Sequence, residues 1–164
     1  MLYLLDANIL ILAQNTYYEF GRVNQYWDWI KFQAAEGKVK IPKQILQEVA
    51  EKNDFVANWT KEYRSDLILD DQVDSILLDR VITEGYAHDL TDEEIEQVGK
   101  DPFLIVYALK NPEERIVVTA EKHSTKLKRH KRRIPNVCDD LGIMHCDQWK
   151  LGRDLDFRTD WMDS

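Results

Sequence analysis

The chain is expected to be an α/β protein built around a mostly parallel sheet. Three observations predict this. Short apolar runs open at Leu2-Tyr3-Leu4-Leu5 and recur at Arg115-Ile116-Val117-Val118-Thr119 and Ile143-Met144-His145-Cys146. Long amphipathic segments with helical periodicity separate them. An acidic or hydroxyl residue stands just after the first two runs, where ligands gather in open α/β sheets.

The first run ends in Asp6, with Asn8 two residues later and Ile9-Leu10-Ile11-Leu12 beyond. Asp6 either caps the next helix or meets a cation, because an unpaired buried carboxylate is costly. Asn15 to Gly21 is aromatic and irregular. Arg22 to Glu36 reads as a helix, with Val23, Tyr26, Trp27, Ile30 and Ala34 on one face and Gly37 as its stop. Tyr26, Trp27 and Trp29 are core aromatics on this reading. Lys38 to Ile41 alternates as a short strand, and Pro42 opens a helix whose stripe is Ile45, Leu46 and Val49. Glu48 sits at the edge of that stripe.

Residues 54 to 98 read as helical throughout, with Phe55, Val56 and Trp59 on one face and Val73, Ile76, Leu77, Val81 and Ile82 on another. Thr91-Asp92-Glu93-Glu94 is a capping box. Asp101-Pro102 then reads as an N-cap and first helical position. The helix behind it is apolar nearly all round and should be buried. Thr119-Ala120-Glu121 closes the second strand. Ile134 to Gly142 is a short helix, and Asp147 starts a last one. No repeat, linker or low-complexity stretch divides the chain, so residues 1–152 are expected to form a single domain, followed by a loosely held polar tail at 153–164.

The 164 residues are 44% hydrophobic and 32% charged, an ordinary globular composition. No apolar run reaches the ~20 residues that span a bilayer, so no membrane association is expected. The apolar N-terminal run lacks a basic flank and is broken by Asp6, so no signal peptide is expected. Cys138 and Cys146 are the only cysteines and lack C-x-x-C spacing. They fit a reducing cytoplasm, and no zinc pattern is evident. The net charge is −8, yet residues 122 to 133 carry seven Lys/Arg and no acid, which leaves −15 on the remainder. Such a local field attracts phosphate whatever the net charge, although a solvated loop has the same composition.

Asp6 and Glu121 follow two strands, and Asp101 opens the helix leading into the second of them. If they converge, their repulsion must be relieved by protonation or by a cation. An all-oxygen donor set selects Mg²⁺ or Mn²⁺, which suits phosphoryl-transfer hydrolysis.

Four segments carry a resemblance. L-L-D-A-N-I-L around Asp6, P-x-x-I-x-x-E-V around Glu48, K-D-P-F-L-I-V-Y-A-L around Asp101 and V-V-T-A-E at Thr119–Glu121 resemble, in order and spacing, the PIN-domain family over residues 1 to 146. Y-W-D-W-I and I-P-N-V-C-D-D-L-G-I are similar to a PIN-like prokaryotic subfamily that includes toxin-like partners of a neighbouring antitoxin gene. The resemblance implies a three-layer α/β/α sandwich and metal-dependent endoribonuclease chemistry of the VapC-toxin type. Asp6, Glu48, Asp101 and Glu121 would be the acidic quartet around Mg²⁺ or Mn²⁺, and Asn8 and Thr119 would support it through hydrogen bonds. RNA is the implied substrate, with an antitoxin protein and a second copy of the chain as candidate partners. The fourth position departs from the family, where Asp is usual; Glu121 is one methylene longer and could act through a water, with Asp139 and Asp140 as fallback. Beside such a site, Lys122, Lys126, Lys128, Arg129, Lys131, Arg132 and Arg133 become candidates for holding RNA phosphates, and Lys100 could orient a carboxylate or a phosphate. Two alternatives remain open: a PIN fold that binds nucleic acid or protein without cutting, and a small acid-metal phosphatase, weakened by Asn at position 8.

Overall fold

Strand β1 (Leu2–Leu5) is the middle of a five-stranded, all-parallel sheet in the order β3-β2-β1-β4-β5. The other strands are β2 (Val39–Pro42), β3 (Ile68–Leu69), β4 (Arg115–Val118) and β5 (His145–Cys146) in this computed structural model, which describes residues 1–163. Among the described residues ten α-helices flank the sheet: α1 (Ala7–Leu12), α2 (Asn24–Ala35), α3 (Lys43–Ala50), α4 (Phe55–Glu62), α5 (Arg64–Leu67), α6 (Ser75–Arg80), α7 (Asp92–Val98), α8 (Asp101–Leu109), α9 (Ile134–Leu141) and α10 (Gln148–Asp154). The sheet is parallel, as the alternation of short apolar runs and helical segments predicts, and the architecture is the three-layer α/β/α sandwich that the resemblance implies. Parallel strands with helices on both faces are buried on both sides, which is why they read as unbroken apolar runs.

The strand order fixes where a site can form. The chain runs outward from β1 to β2 and β3, then returns to β4 on the opposite side of β1. The crevice at the carboxyl ends of β1 and β4 is therefore the topological switch point. These strands end flush, with Leu5 paired to Val118. Asp6 and Thr119 are consequently neighbours, and the Asp6 amide donates to Val118 O at 2.9 Å.

Helix α8 is buried on nearly every side, with Leu104, Ile105, Val106, Tyr107 and Ala108 sealed from solvent. It packs against β1, β2, β4, α3 and α9, so its first residue is carried by the most enclosed helix of the molecule. Asp101 occupies the first helical position, and Lys100 is the capping position. The expected N-cap role of Asp101 is thus displaced by one residue, and its carboxylate caps nothing.

Three further expectations are corrected. The stretch from 54 to 98 is not helical throughout: Ile68–Leu69 forms edge strand β3, paired with Ile41 and Pro42 of β2. Ile76 lies outside the core at 80% exposure, because α6 meets its neighbours through Leu77 and Leu78. The C-terminal segment is docked rather than loose. Phe157 packs edge-on against Tyr18 and Tyr26 and tilts over Trp29, and Trp161 Nε1 donates to Gln25 O at 3.0 Å. Ser164, the end of the expected tail, lies outside the described residues.

Two glycines are dictated by geometry. Gly142 ends α9 in the left-handed region, with φ +69°. Gly85 lies in a π-helical turn that continues α6 over Val81–Tyr86, and a Cβ there would stand 2.6 Å from Val137 Cγ1 of α9.

Candidate active site

Asp6 is buried at the carboxyl end of β1, beside the polar groups that follow β4. Thr119, itself 2% exposed, donates its hydroxyl to Asp6 Oδ2 at 2.8 Å. The same hydroxyl oxygen accepts from the Glu121 amide at 3.2 Å and from Asn8 Nδ2 at 3.4 Å. Asn8 Oδ1 accepts from the Ala120 amide at 3.2 Å. Asn8 and Thr119 therefore tie the turn after β1 to the turn after β4, and they hold Asp6 in one orientation.

Burial pushes the Asp6 carboxyl up to about 6, with the nearby Glu121 adding to it against the Thr119 hydrogen bond. Asp101 is pushed further, to about 8, first by burial and then by the negative charges of Asp6, Glu121 and Glu48. The fold thus brings the other three predicted acids within electrostatic reach of Asp101. Glu48 is the exposed member, on α3. Among the described residues, neither Asp6 nor Asp101 forms an ion pair. Lys100 turns away, its Nζ lying 5.7 Å over the Phe103 ring.

Glu121 is differently placed. Its Oε2 accepts from the Ile134 amide at 2.8 Å, so it caps the first turn of α9, and Oε1 is 3.5 Å from Arg133 Nη1. The extra methylene carries its carboxylate to a helix terminus. Asp139 and Asp140, the fallback acids, point elsewhere: Asp140 pairs with Arg132 at 2.7 Å, and Asp139 lies between two histidines.

The donor set suits a hard divalent cation. Asp6 and Asp101 offer carboxylate oxygens whose charge no protein cation offsets, and the oxygen-only chemistry favours Mg²⁺ or Mn²⁺ over zinc. Asp6, Asp101 and Glu48 are the residues that would hold it, with Glu121 held back by its helix cap.

The basic segment divides in two. Arg129 is locked by Glu94 (3.0 Å) and Asp89 (2.7 Å), and Arg132 by Gly85 O and Asp140. Arg133 leans on Glu121, and Lys122 stands 3.7 Å from Asp147. Lys126, Lys128 and Lys131 are exposed and, among the described residues, form no ion pair. Part of the run therefore fastens its own loop to the acidic α7 region, and the lysines are what it presents to solvent.

Sequence reasoning missed one group. His123, Asp139 and His145 present ligand atoms that all lie within 4.8 Å of one another, a closeness the four carboxylates do not reach. No spacing motif flags them, because they come from a loop, a helix and a strand.

Fold and site together define an α/β/α protein with a group of acids at the switch point of a parallel sheet. The chain belongs to the family described as Domain of unknown function (DUF4411), which matches residues 3–159. No curated protein and no solved structure matches it.

Proposed function

We propose that this protein is a metal-dependent endoribonuclease of PIN type. The observation that carries the reading is the pair Asp6 and Asp101. Both are carboxylates with raised proton affinity, beside Glu48 and Glu121, with no cation to offset them at the carboxyl edge of the sheet. Sites that hold carboxylates at such a cost are where a metal or a proton is put to use.

A divalent cation bound there supplies charge neutralisation for the attacking and leaving oxygens of a phosphodiester. Asp6, fixed by Thr119, and Asp101, fixed by α8, would hold it. Glu48, the exposed acid on α3, would complete the set. Lys126, Lys128 and Lys131 are free to hold flanking phosphates of a single strand. The resemblance of the four motifs to PIN toxins suggests RNA as the substrate and a toxin–antitoxin pair as the setting. Incubating the protein with RNA in Mn²⁺ and in EDTA, beside Asp101→Asn, tests this: cleavage should need metal and vanish in the variant.

One observation favours a second reading, a module that binds nucleic acid or protein without cutting. Glu121 is engaged by Ile134 and Arg133, which leaves three acids free. RNA retention without cleavage across Mg²⁺ and Mn²⁺ concentrations is the result that would support it.

A further inference from the structure

Away from the carboxylates, three elements converge on a different donor set. His123 comes from the loop after β4, His145 from β5 and Asp139 from α9. His123 Nε2 lies 2.6 Å from Asp139 Oδ2, and His145 Nε2 lies 2.8 Å from Oδ1. The two rings stand 5.4 Å apart between centroids, 60° from coplanar. Both imidazoles thus aim the same nitrogen at one carboxylate, each at its own oxygen.

Two neutral imidazoles and a carboxylate form a borderline donor set, unlike the all-oxygen set of Asp6 and Asp101. That set suits Zn²⁺ and its neighbours in the first transition row. Tetrahedral ligands at about 2.0–2.1 Å from an ion stand roughly 3.3 Å apart, so each histidine–carboxylate contact needs to open by about 0.5–0.7 Å, and the three ligand atoms already lie within 4.8 Å of one another. The side chains of His123 and Asp139, each 54% exposed, have room for that, while His145, at 19%, is the fixed member. His123 and His145 also line a cleft of about 310 Å³ that reaches Thr119 and Glu121. An ion with three protein ligands would keep a fourth position for water or another ligand.

We propose that His123, Asp139 and His145 form a transition-metal site of the Zn²⁺ class, separate from the Asp6 and Asp101 carboxylates. Loading requires the imidazoles to be neutral, so the ion displaces whatever protons lie between them and the carboxylate. The bound ion would clamp the loop after β4, and with it the start of the basic segment, to β5 and α9.

The test uses the full chain, stripped with EDTA and then freed of it. Zn²⁺ is titrated in competition with a chromophoric chelator, and thermal melting is followed with and without Zn²⁺. Wild type should take up Zn²⁺ and melt higher with it, since an ion that binds only the folded state stabilises it. His145→Gln and His123→Ala should each weaken uptake by roughly 100-fold or more, because even outer-shell changes at zinc sites cost about 10–100-fold. Both variants must first show the wild-type circular dichroism; His123, on an exposed loop, keeps the test available if His145→Gln fails to fold. Asp101→Asn should bind Zn²⁺ as wild type does, which separates this site from the nuclease reading. Unchanged uptake in both histidine variants, or its loss in Asp101→Asn, would overturn the proposal.

Discussion

Replacing Asp101 by Asn should stabilise the metal-free protein while removing its activity. The folded state raises the Asp101 carboxyl from 3.8 to about 8, through burial and the charges of Asp6, Glu121 and Glu48. Between those values the folded chain holds a proton that the unfolded chain has released. Stability therefore falls as pH rises from about 4 to about 8, and the full penalty stands above 8. At pH 7 the gap between 3.8 and 7 corresponds to about 4 kcal/mol at 1.36 kcal/mol per unit. Water reaching the partly exposed carboxylate screens this, and roughly 2 kcal/mol is the working figure. Asn mimics the protonated acid and escapes the penalty. Urea denaturation in EDTA should show Asp101→Asn more stable by ~2 kcal/mol at pH 7, by more at pH 8, and no different near pH 4. Mn²⁺ should reverse the order at pH 8, because only wild type gains from binding. A variant equal to or weaker than wild type at pH 8 in EDTA would refute the electrostatic reasoning.

Thr119→Val keeps the shape and deletes the hydroxyl that Asp6, Asn8 and the Glu121 amide share; a loss of about 2 kcal/mol at pH 8 is expected by urea denaturation, together with a further rise of the Asp6 pKa. Gly85→Ala drives a methyl against Val137 and should cost about 1–3 kcal/mol, again read by urea. Changing Lys126, Lys128 and Lys131 together to Ala should weaken single-stranded RNA binding and reduce its salt slope by about 2, whereas Arg129→Ala, locked on Glu94 and Asp89, should leave the slope nearly unchanged; filter binding from low to moderate salt reads both.

What was legible in the sequence follows from length and periodicity. β1, β4 and α8 are sealed on both faces, so their apolar runs stood out. Asp6, Asp101 and Thr119 could be placed because each directly adjoins such a run. β3 was invisible because two residues, Ile68 and Leu69, carry no period and lie inside helical surroundings. The polar composition of residues 153–163 hid a docked segment, since its apolar anchors Leu155, Phe157 and Trp161 are scattered among charges. Long-range partners were beyond reach altogether. Nothing local says that Glu121 will cap α9, that Arg129 will find Glu94, or that His123 and His145 will flank Asp139. Those pairings are set by the crossover that lays β5 beside β4.

The central claim is that the carboxylates at the β1–β4 switch point hold a divalent cation and cut RNA. The most direct measurement is cleavage of a mixed RNA pool by wild type, Asp6→Asn and Asp101→Asn, in Mn²⁺, in Mg²⁺ and in EDTA. Metal-dependent cleavage by wild type alone, with both variants slower by orders of magnitude, is the predicted result. Cleavage that persists in EDTA or in the folded variants would contradict it.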